Sequence, residues 1–439
     1  MQGPQNVSTK LSRIARLARE APDLAFTSLN HYIDLEWLRE AYRRTRKDGA
    51  PGIDGKTAAE YEENLDENLL SLLELAKSGL YRAPPVRRVH IPKGRGSETR
   101  PIGIPTFEDK VLQRAVAMLL EAIYEQDFLD CSFGFRPGRS AHQALDALKA
   151  AAMEVNGGWV VELDFRKYFD SIPHGELREI LASRVRDGVV TRLIGKWLNA
   201  GVWERGEVTY PERGSPQGGV ISPLLANIFL HEVLDRWFEQ EVKPRLSGRA
   251  HLIRYADDAV LIFRTEEDAR RVLAVLPKRC EKFGLTLHPE KTRLVRFRRP
   301  NKRDPDDPGP GSFSFLGFTH HWARGRKGGE YIQRETAKDR FSRSVRAISD
   351  WCRGHRHWPI RQQHKTLVAK LRGHGAYYGI SGNGRALRAI IRWAERAWQK
   401  WLNRRDETRS MPWKRFRRLL KRLPLPTLRI HRPCYAANP

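Results

Sequence analysis

Asp257 and Asp258 stand side by side in Tyr255-Ala256-Asp257-Asp258, between His251-Leu252-Ile253 and Val260-Leu261-Ile262-Phe263. Both flanks are rich in β-branched and bulky residues, so the pattern predicts strand, turn, strand. Successive strand residues point to opposite faces, and only a bend lets neighbouring acids converge. Converging carboxylates can hold metal ions; a plain turn, in which Asp bonds its own backbone, is the competing reading. A third acid favours the first. Gly158-Trp159-Val160-Val161-Glu162-Leu163-Asp164 reads as a short buried strand with Asp164 at its tip. Phosphoryl and nucleotidyl transfer commonly use two divalent ions about 4 Å apart. Mg²⁺ takes few carboxylates alongside phosphate oxygens and water, so three acids from two strands suffice.

With these acids, several further motifs resemble the reverse transcriptases of the group II intron maturase family, in family order from about residue 30 to beyond residue 320. The resemblance implies that Asp164, Asp257 and Asp258 are catalytic and hold two Mg²⁺ ions, for which Mn²⁺ would substitute. It implies that Phe169, five residues after Asp164, is a steric gate crowding a ribose 2′-OH, with Phe165 beside it in the dNTP pocket. The alternative is that Tyr168 and Phe169 are core aromatics.

Gly214-Ser215-Pro216-Gln217-Gly218-Gly219-Val220-Ile221-Ser222-Pro223 resembles the nucleotide-pocket loop, which would set Gln217 and Gly218 against the incoming dNTP. Glycine allows close backbone approach, although Pro and Gly also make ordinary turns. Val89-His90-Ile91-Pro92-Lys93 and Arg100-Pro101-Ile102-Gly103-Ile104 look like fingers strands, with Lys93 and Arg100 gripping the triphosphate. A guanidinium fork matches phosphate oxygens; a solvated surface cation is the plainer reading. Lys291, in Glu290-Lys291-Thr292, matches the lysine that assists the departing pyrophosphate. Phe315-Leu316-Gly317-Phe318 matches the primer grip, with Leu316 and Gly317 at its turn. Lys47 to Gly55 resembles the amino-terminal extension, and Phe133-Gly134-Phe135-Arg136-Pro137-Gly138-Arg139-Ser140 the fingers insertion, of non-retroviral members.

The formal charge is +27 and the chain is 40% hydrophobic, which together imply a large anionic partner. Residues 320–439 carry 30 Lys and Arg against 7 Asp and Glu, leaving 49 against 45 for residues 1–319. Seven of the twelve Trp lie in the same carboxy-terminal stretch. Cations mixed with aromatics suit a polynucleotide. From Leu387 to Leu402 the apolar residues fall on one helical face, opposite Arg385, Arg388, Arg392 and Arg396, and most of these Trp read as core. A solvated face usually alternates sign and this one scarcely does, so the four arginines are read as nucleic-acid contacts. Lys414 and Arg415, in the basic stretch Trp413 to Arg422, are read likewise.

The expected fold is α+β: a right-hand polymerase with fingers and palm on a mainly antiparallel sheet, followed by an all-helical thumb. The expected divisions are 1–150, amino-terminal extension and fingers; 151–319, palm; 320–404, thumb or maturase X domain; and 405–439, a basic extension that reads either as a rudimentary DNA-binding segment or as a tail along RNA. Pro300 to Gly311 reads as a loop before the primer grip. Cys131, Cys280, Cys352 and Cys434 are scattered, suggesting neither a disulfide framework nor a zinc cluster. No apolar run nears the roughly 20 residues of a membrane span, and the amino terminus lacks a signal-peptide core, so a cytoplasmic, ribonucleoprotein- or nucleoid-associated protein is expected. Paired Cys motifs with clustered His, the mark of an endonuclease in many relatives, are missing, and DNA cleavage is not expected.

The resemblance thus implies an RNA-directed DNA polymerase whose partners are an RNA template, a DNA or RNA primer, dNTPs and structured intron RNA. Two alternatives share the same core: an RNA-binding splicing maturase without essential polymerisation, and a domesticated enzyme of phage defence or DNA repair. The sequence leaves oligomeric state open.

Overall fold

A computed structural model describes residues 3–92, 99–214, 218–300, 309–325, 328–405 and 410–431. Lys93, Gln217 and most of the Pro300–Gly311 segment lie outside the described residues. The described strands are β1 (Val86–Pro92), β2 (Thr99–Ile104), β3 (Trp159–Leu163), β4 (Val202–Glu204), β5 (Glu207–Thr209), β6 (Ala250–Tyr255), β7 (Asp258–Phe263), β8 (Arg293–Arg296), β9 (Phe313–Phe315), β10 (Phe318–Arg324) and β11 (Glu330–Thr336). Helices and strands are mixed throughout, and the chain separates into two compact units, Met1–Leu294 and Val295–Pro439.

The first unit is built around the helix Phe107–Asp127. Thr106 caps it by accepting from the Asp109 amide, and Val111, Leu112, Ala115, Val116, Leu119, Leu120 and Ile123 recur at helical spacing on its buried side. Each fully buried Val, Leu or Ile contributes roughly 1.5–3 kcal/mol of transfer free energy before the cost of ordering it. Against this core lies a sheet in the order β6-β7-β3-β8, antiparallel where β7 meets β6 and β3. Ala259 to Phe263 are all buried, because this strand is central and covered on both faces. The mainly antiparallel expectation needs one amendment: a second sheet, β2-β1-β4-β5, pairs β1 with β4 in parallel. The helix Ser222–Leu230 runs on into a wider π-helical coil, His231–Val242, which carries Asp235 into the interior.

The expected all-helical thumb over 320–404 is not what forms, because β10 and β11 fall in that range: the second unit pairs a small sheet, β11-β10-β9, with the described helices Lys338–Gly354, Ile360–Tyr378, Gly384–Asn403 and Trp413–Arg422. Ile348, Leu367, Leu371, Ile390, Ala394, Trp398, Leu402 and Phe416 form its core. The β9–β10 turn is Leu316-Gly317, both left-handed (φ 49° and 78°), as a two-residue hairpin loop of matching twist requires. Tyr377 donates its hydroxyl to the Leu316 carbonyl at 2.8 Å, holding that unfavourable Leu conformation. No helix among the described residues is long and apolar enough to cross a membrane.

Candidate active site

Strands β6 and β7 pair up to Tyr255 opposite Asp258, leaving Ala256-Asp257 as the turn between them. Ala256 sits at φ 57°, a left-handed conformation that costs a residue with a Cβ roughly 1–2 kcal/mol. Something outside the turn must offset that cost. On the other side, β3 runs antiparallel to β7 with Leu163 opposite Ala259, so the next position sets Asp164 across from Asp258. The bend and the strand tip therefore bring the three acids to one end of one sheet.

Their surroundings differ. Burial pushes the Asp257 carboxyl above its ordinary range; a backbone hydrogen bond and the Arg100 guanidinium oppose this, while the negative charge of Asp164 adds to it. Asp164 is half-buried and receives the Lys291 ammonium on both oxygens, at 3.3 and 3.2 Å. Its backbone carbonyl accepts from the His288 amide at 2.7 Å, tying the strand tip to the segment that carries Lys291. Asp258 is exposed. Among the described residues no three His, Cys, Asp or Glu side chains are gathered as a ready-made ion cage. The donor chemistry nevertheless fits a hard divalent cation: carboxylate oxygens at a strand end, one already holding an ammonium, another destabilised by its acidic neighbour.

Behind the bend lies a buried polar network absent from the sequence reading. Arg254, with no exposed surface, donates from Nε to Asp235 at 2.7 Å and also pairs with that carboxylate through Nη2. Its Nη1 reaches the Asn227 side-chain oxygen at 2.9 Å and the Ala256 carbonyl at 3.0 Å, and Nη2 reaches the Ser132 hydroxyl at 2.8 Å. Asn227 in turn donates to the Gly134 carbonyl at 2.6 Å. A Cβ added to Gly134 would run into the Ala256 amide nitrogen, so only glycine lets this segment lie against the turn. The left-handed Ala256 is thus gripped on both sides. A signal did exist in the sequence: Arg254 is a charge inside an otherwise apolar strand, which demands a buried partner.

Of the residues expected to meet a nucleotide, Arg100 is exposed on β2, paired in register with Ile91 of β1. It lies near enough to Asp257 to be felt electrostatically. Phe169 is half-buried, edge-on to Tyr168 at 5.5 Å, while Tyr168 itself is core and donates to the Ala226 carbonyl at 2.6 Å. The Phe165 ring is buried in the same core, so its side chain is not open to a dNTP. The nucleotide-pocket loop is anchored at both described ends. A Cβ on Gly214 (φ 93°) would come within 2.8 Å of the Asp170 Cα, and one on Gly218 (φ 113°) would strike the Gly103 carbonyl of β2. Beyond it, Gln113 accepts from the amides of Val220 at 2.8 Å and Ile221 at 3.3 Å, and donates to Asp109 at 3.1 Å. Asp109 also receives Tyr81 and Trp197, each at 2.6 Å, and burial pushes its carboxyl up to about 6. Sequence reading missed this anchor because Asp109 and Gln113 look like ordinary helix residues.

Leu316 and Gly317 belong to the second unit, as do Arg385, Arg388, Arg392 and Arg396, all exposed on Gly384–Asn403 opposite buried Leu387, Ile390, Ala394, Trp398 and Leu402. Lys414 and Arg415 are exposed on Trp413–Arg422, whose Phe416 is buried. Of the seven Trp, Trp322 and Trp398 are buried, while Trp358, Trp393 and Trp413 are exposed.

An acidic bend, a cationic strand pair and a glycine-anchored loop make a site suited to chemistry on phosphate esters, the business of nucleotidyl transferases. The chain belongs to the reverse transcriptase (RNA-dependent DNA polymerase) family, whose model matches residues 91–320, just over half of its length. It is similar to Protein YkfC of Escherichia coli (strain K12), 39% identical over 257 residues, 57% of this chain and 66% of that protein. It is also similar to the Group II intron-encoded protein LtrA of Lactococcus lactis subsp. cremoris, 35% identical over 304 residues, 66% of this chain and 50% of the other. Nuclear intron maturase 2, mitochondrial, of Arabidopsis thaliana matches at 32% over 231 residues, 44% of this chain and 30% of its own. The chain spans from under a third to about two-thirds of the length of these relatives.

Proposed function

We propose that this protein is an RNA-directed DNA polymerase that acts on RNA of the group II intron type and assists its splicing and mobility. The observation that carries the reading is the β3–β7 register, which sets Asp164 across from Asp258 beside the Asp257 bend. Residues 1–150 would serve as extension and fingers, 151–319 as palm, 320–404 as thumb and 405–439 as a basic extension, the whole forming a right hand. The protein would work in the cytoplasm, bound to its RNA.

Asp164, Asp257 and Asp258 would hold two Mg²⁺ ions, or Mn²⁺ in their place. When bound, such ions lower the pKa of an attacking hydroxyl and neutralise charge on the phosphates. The chain's own residues would orient the reaction. A primer 3′-oxygen forms a bond to the α-phosphorus of a dNTP, and the bond from that phosphorus to the pyrophosphate oxygen breaks. Arg100 and Lys93 would bind the triphosphate, with Gln217 and Gly218 against the nucleotide. Phe169 would exclude a 2′-OH; the buried Phe165 ring would support it from the core instead of touching the dNTP. Lys291 would leave Asp164 and donate a proton or positive charge to the departing pyrophosphate. Leu316 and Gly317 would steady the primer, and Arg385, Arg388, Arg392, Arg396, Lys414 and Arg415 would take phosphates of template, primer or intron RNA.

Asp257→Asn tests the reading. In primer extension on an RNA template, cDNA synthesis should fall below detection while filter binding of the same RNA stays near wild type; substantial residual synthesis would refute the assignment. Intron splicing by a triple variant, with Asp164, Asp257 and Asp258 each replaced by Asn, should persist if scaffolding and synthesis are separable.

A further inference from the structure

The first unit has a second concave surface, whose lining includes none of the three acids and none of the motifs above. A cavity of about 820 Å³ is lined by the segment Gly79–Ala83, the helices His174–Ala182 and Gly188–Leu198, and Tyr210 just past β5. Four of its lining side chains are cations, Arg82, Arg178, Arg192 and Lys196, and none is a carboxylate. That is unusual for residues 1–319, where acids and bases nearly cancel.

The four cations are not equivalent. Lys196 is committed to structure: its ammonium donates to the Gly79 carbonyl at 2.6 Å and to that of Tyr81, closing the end of the helix Leu65–Ser78. Arg82, Arg178 and Arg192 are exposed, and no described acid pairs with them. Three guanidiniums lining one cavity without a paired carboxylate present donors and positive potential that a polyanion would satisfy. Beside them, Tyr210 is 71% exposed, and its ring lies over Gly201, where a Cβ would come within 3.1 Å of it and 2.5 Å of Val208, so only glycine leaves room for the ring there. Leu80 is 72% exposed across the cavity. An exposed aromatic face beside unpaired guanidiniums meets the two requirements for single-stranded nucleic acid, a platform for a base and donors for the phosphates on either side.

We infer that this cavity is a binding site for a single-stranded segment of RNA, with one base stacked on Tyr210 and adjacent phosphates held by Arg82, Arg178 and Arg192. It deepens the proposed function, since the RNA would be the one the protein acts on or carries. The site would grip an unpaired stretch outside the region being copied and so fix the RNA's register on the first unit.

The test uses the full chain and a short single-stranded oligouridylate containing 4-thiouridine. Photocrosslinking followed by peptide mapping should mark Tyr210 or its β4–β5 hairpin. Tyr210→Ala should abolish that crosslink and weaken oligonucleotide binding by about tenfold, with Tyr210→Phe retaining both. Replacing Arg82, Arg178 and Arg192 together by Gln should lower the salt dependence of binding by about two units of slope, at roughly 0.7 per phosphate on a single strand. Crosslinks confined to other segments, with affinity unchanged in Tyr210→Ala, would overturn the site. Equal competition by uridine monophosphate would overturn the RNA assignment in favour of a free nucleotide, and equal competition by duplex would overturn the single-strand requirement. Extension of a short, fully paired primer on RNA is measured in parallel and should be unchanged in all variants. Its absence in the wild type would sink the polymerase reading while leaving the crosslink result standing.

Discussion

Two sets of arginines, one from each unit, are used in opposite ways. In the first, Arg254 is fully buried, paired with Asp235 and wired to Asn227, Ser132 and the Ala256 carbonyl. In the second, Arg385, Arg388, Arg392 and Arg396 line an exposed helical face. A buried charge is positioned by its partners and in turn positions them, so it carries geometry. An exposed row carries potential, which depends on number and salt more than on any one residue. The same side chain therefore braces a bend in one place and, on the proposed function, would gather phosphates in another.

The largest effect should come from cutting the buried wiring. Arg254→Met strips Asp235 of its guanidinium in the interior, leaving only the His231 ring 3.9 Å away, and should cost about 3–5 kcal/mol, read by denaturant unfolding. The double variant Arg254→Met/Asp235→Leu should regain most of that stability while primer extension stays about a hundredfold down, because the Ala256 carbonyl has lost its donor. Recovery of activity together with stability would show that the network only holds the fold.

Gly134→Ala presses on the same turn from the other side. Overpacking there should cost up to about 3 kcal/mol and lower extension with little change in RNA affinity. Unchanged extension would mean the bend yields without consequence.

A buried base in the second unit extends the contrast. His320 is fully buried, stacked on Phe313 at 4.8 Å, and burial, then the nearby Arg334, depress its pKa to about 3. Its unfolded value is near 6.5, so as pH falls below that the unfolded chain takes a proton the folded one refuses, and stability is lost. At pH 5 the loss should be about 2 kcal/mol relative to pH 7.5, and absent in His320→Phe. A pH dependence unaltered by that substitution would show the ring is charged when folded.

The smallest stability effect belongs to the exposed row. Replacing all four helix arginines by Gln should move unfolding free energy within about 0.5 kcal/mol, yet reduce the salt slope of RNA binding by about three units. An intact slope would place the contacts elsewhere.

What was legible in the sequence follows the same division. The strands flanking Asp257 and Asp258 and the segment ending at Asp164 are short apolar runs, the arginine stripe of Gly384–Asn403 repeats every 3.6 residues, and the structure forms each of them. The supports of the site were not legible. Asp235 lies nineteen positions before Arg254, and Ser132 a hundred and twenty-two. No local period links them, and only the fold makes them neighbours. Gly134 was visible as part of a motif, but its reason, contact with the Ala256 amide, is a tertiary fact. The buried Phe165 ring shows the converse: adjacency to Asp164 along the chain says nothing about which side of the sheet a ring takes.

Ala256 has a further consequence. Its backbone is disfavoured for its own side chain and is maintained by residues more than a hundred positions away. A synthetic peptide spanning β6 and β7 alone should therefore relax to a different loop and lose the spacing of its two acids. Ion affinity at this corner would then be acquired late in folding, making divalent-cation titration a reporter of whether the whole first unit has matured.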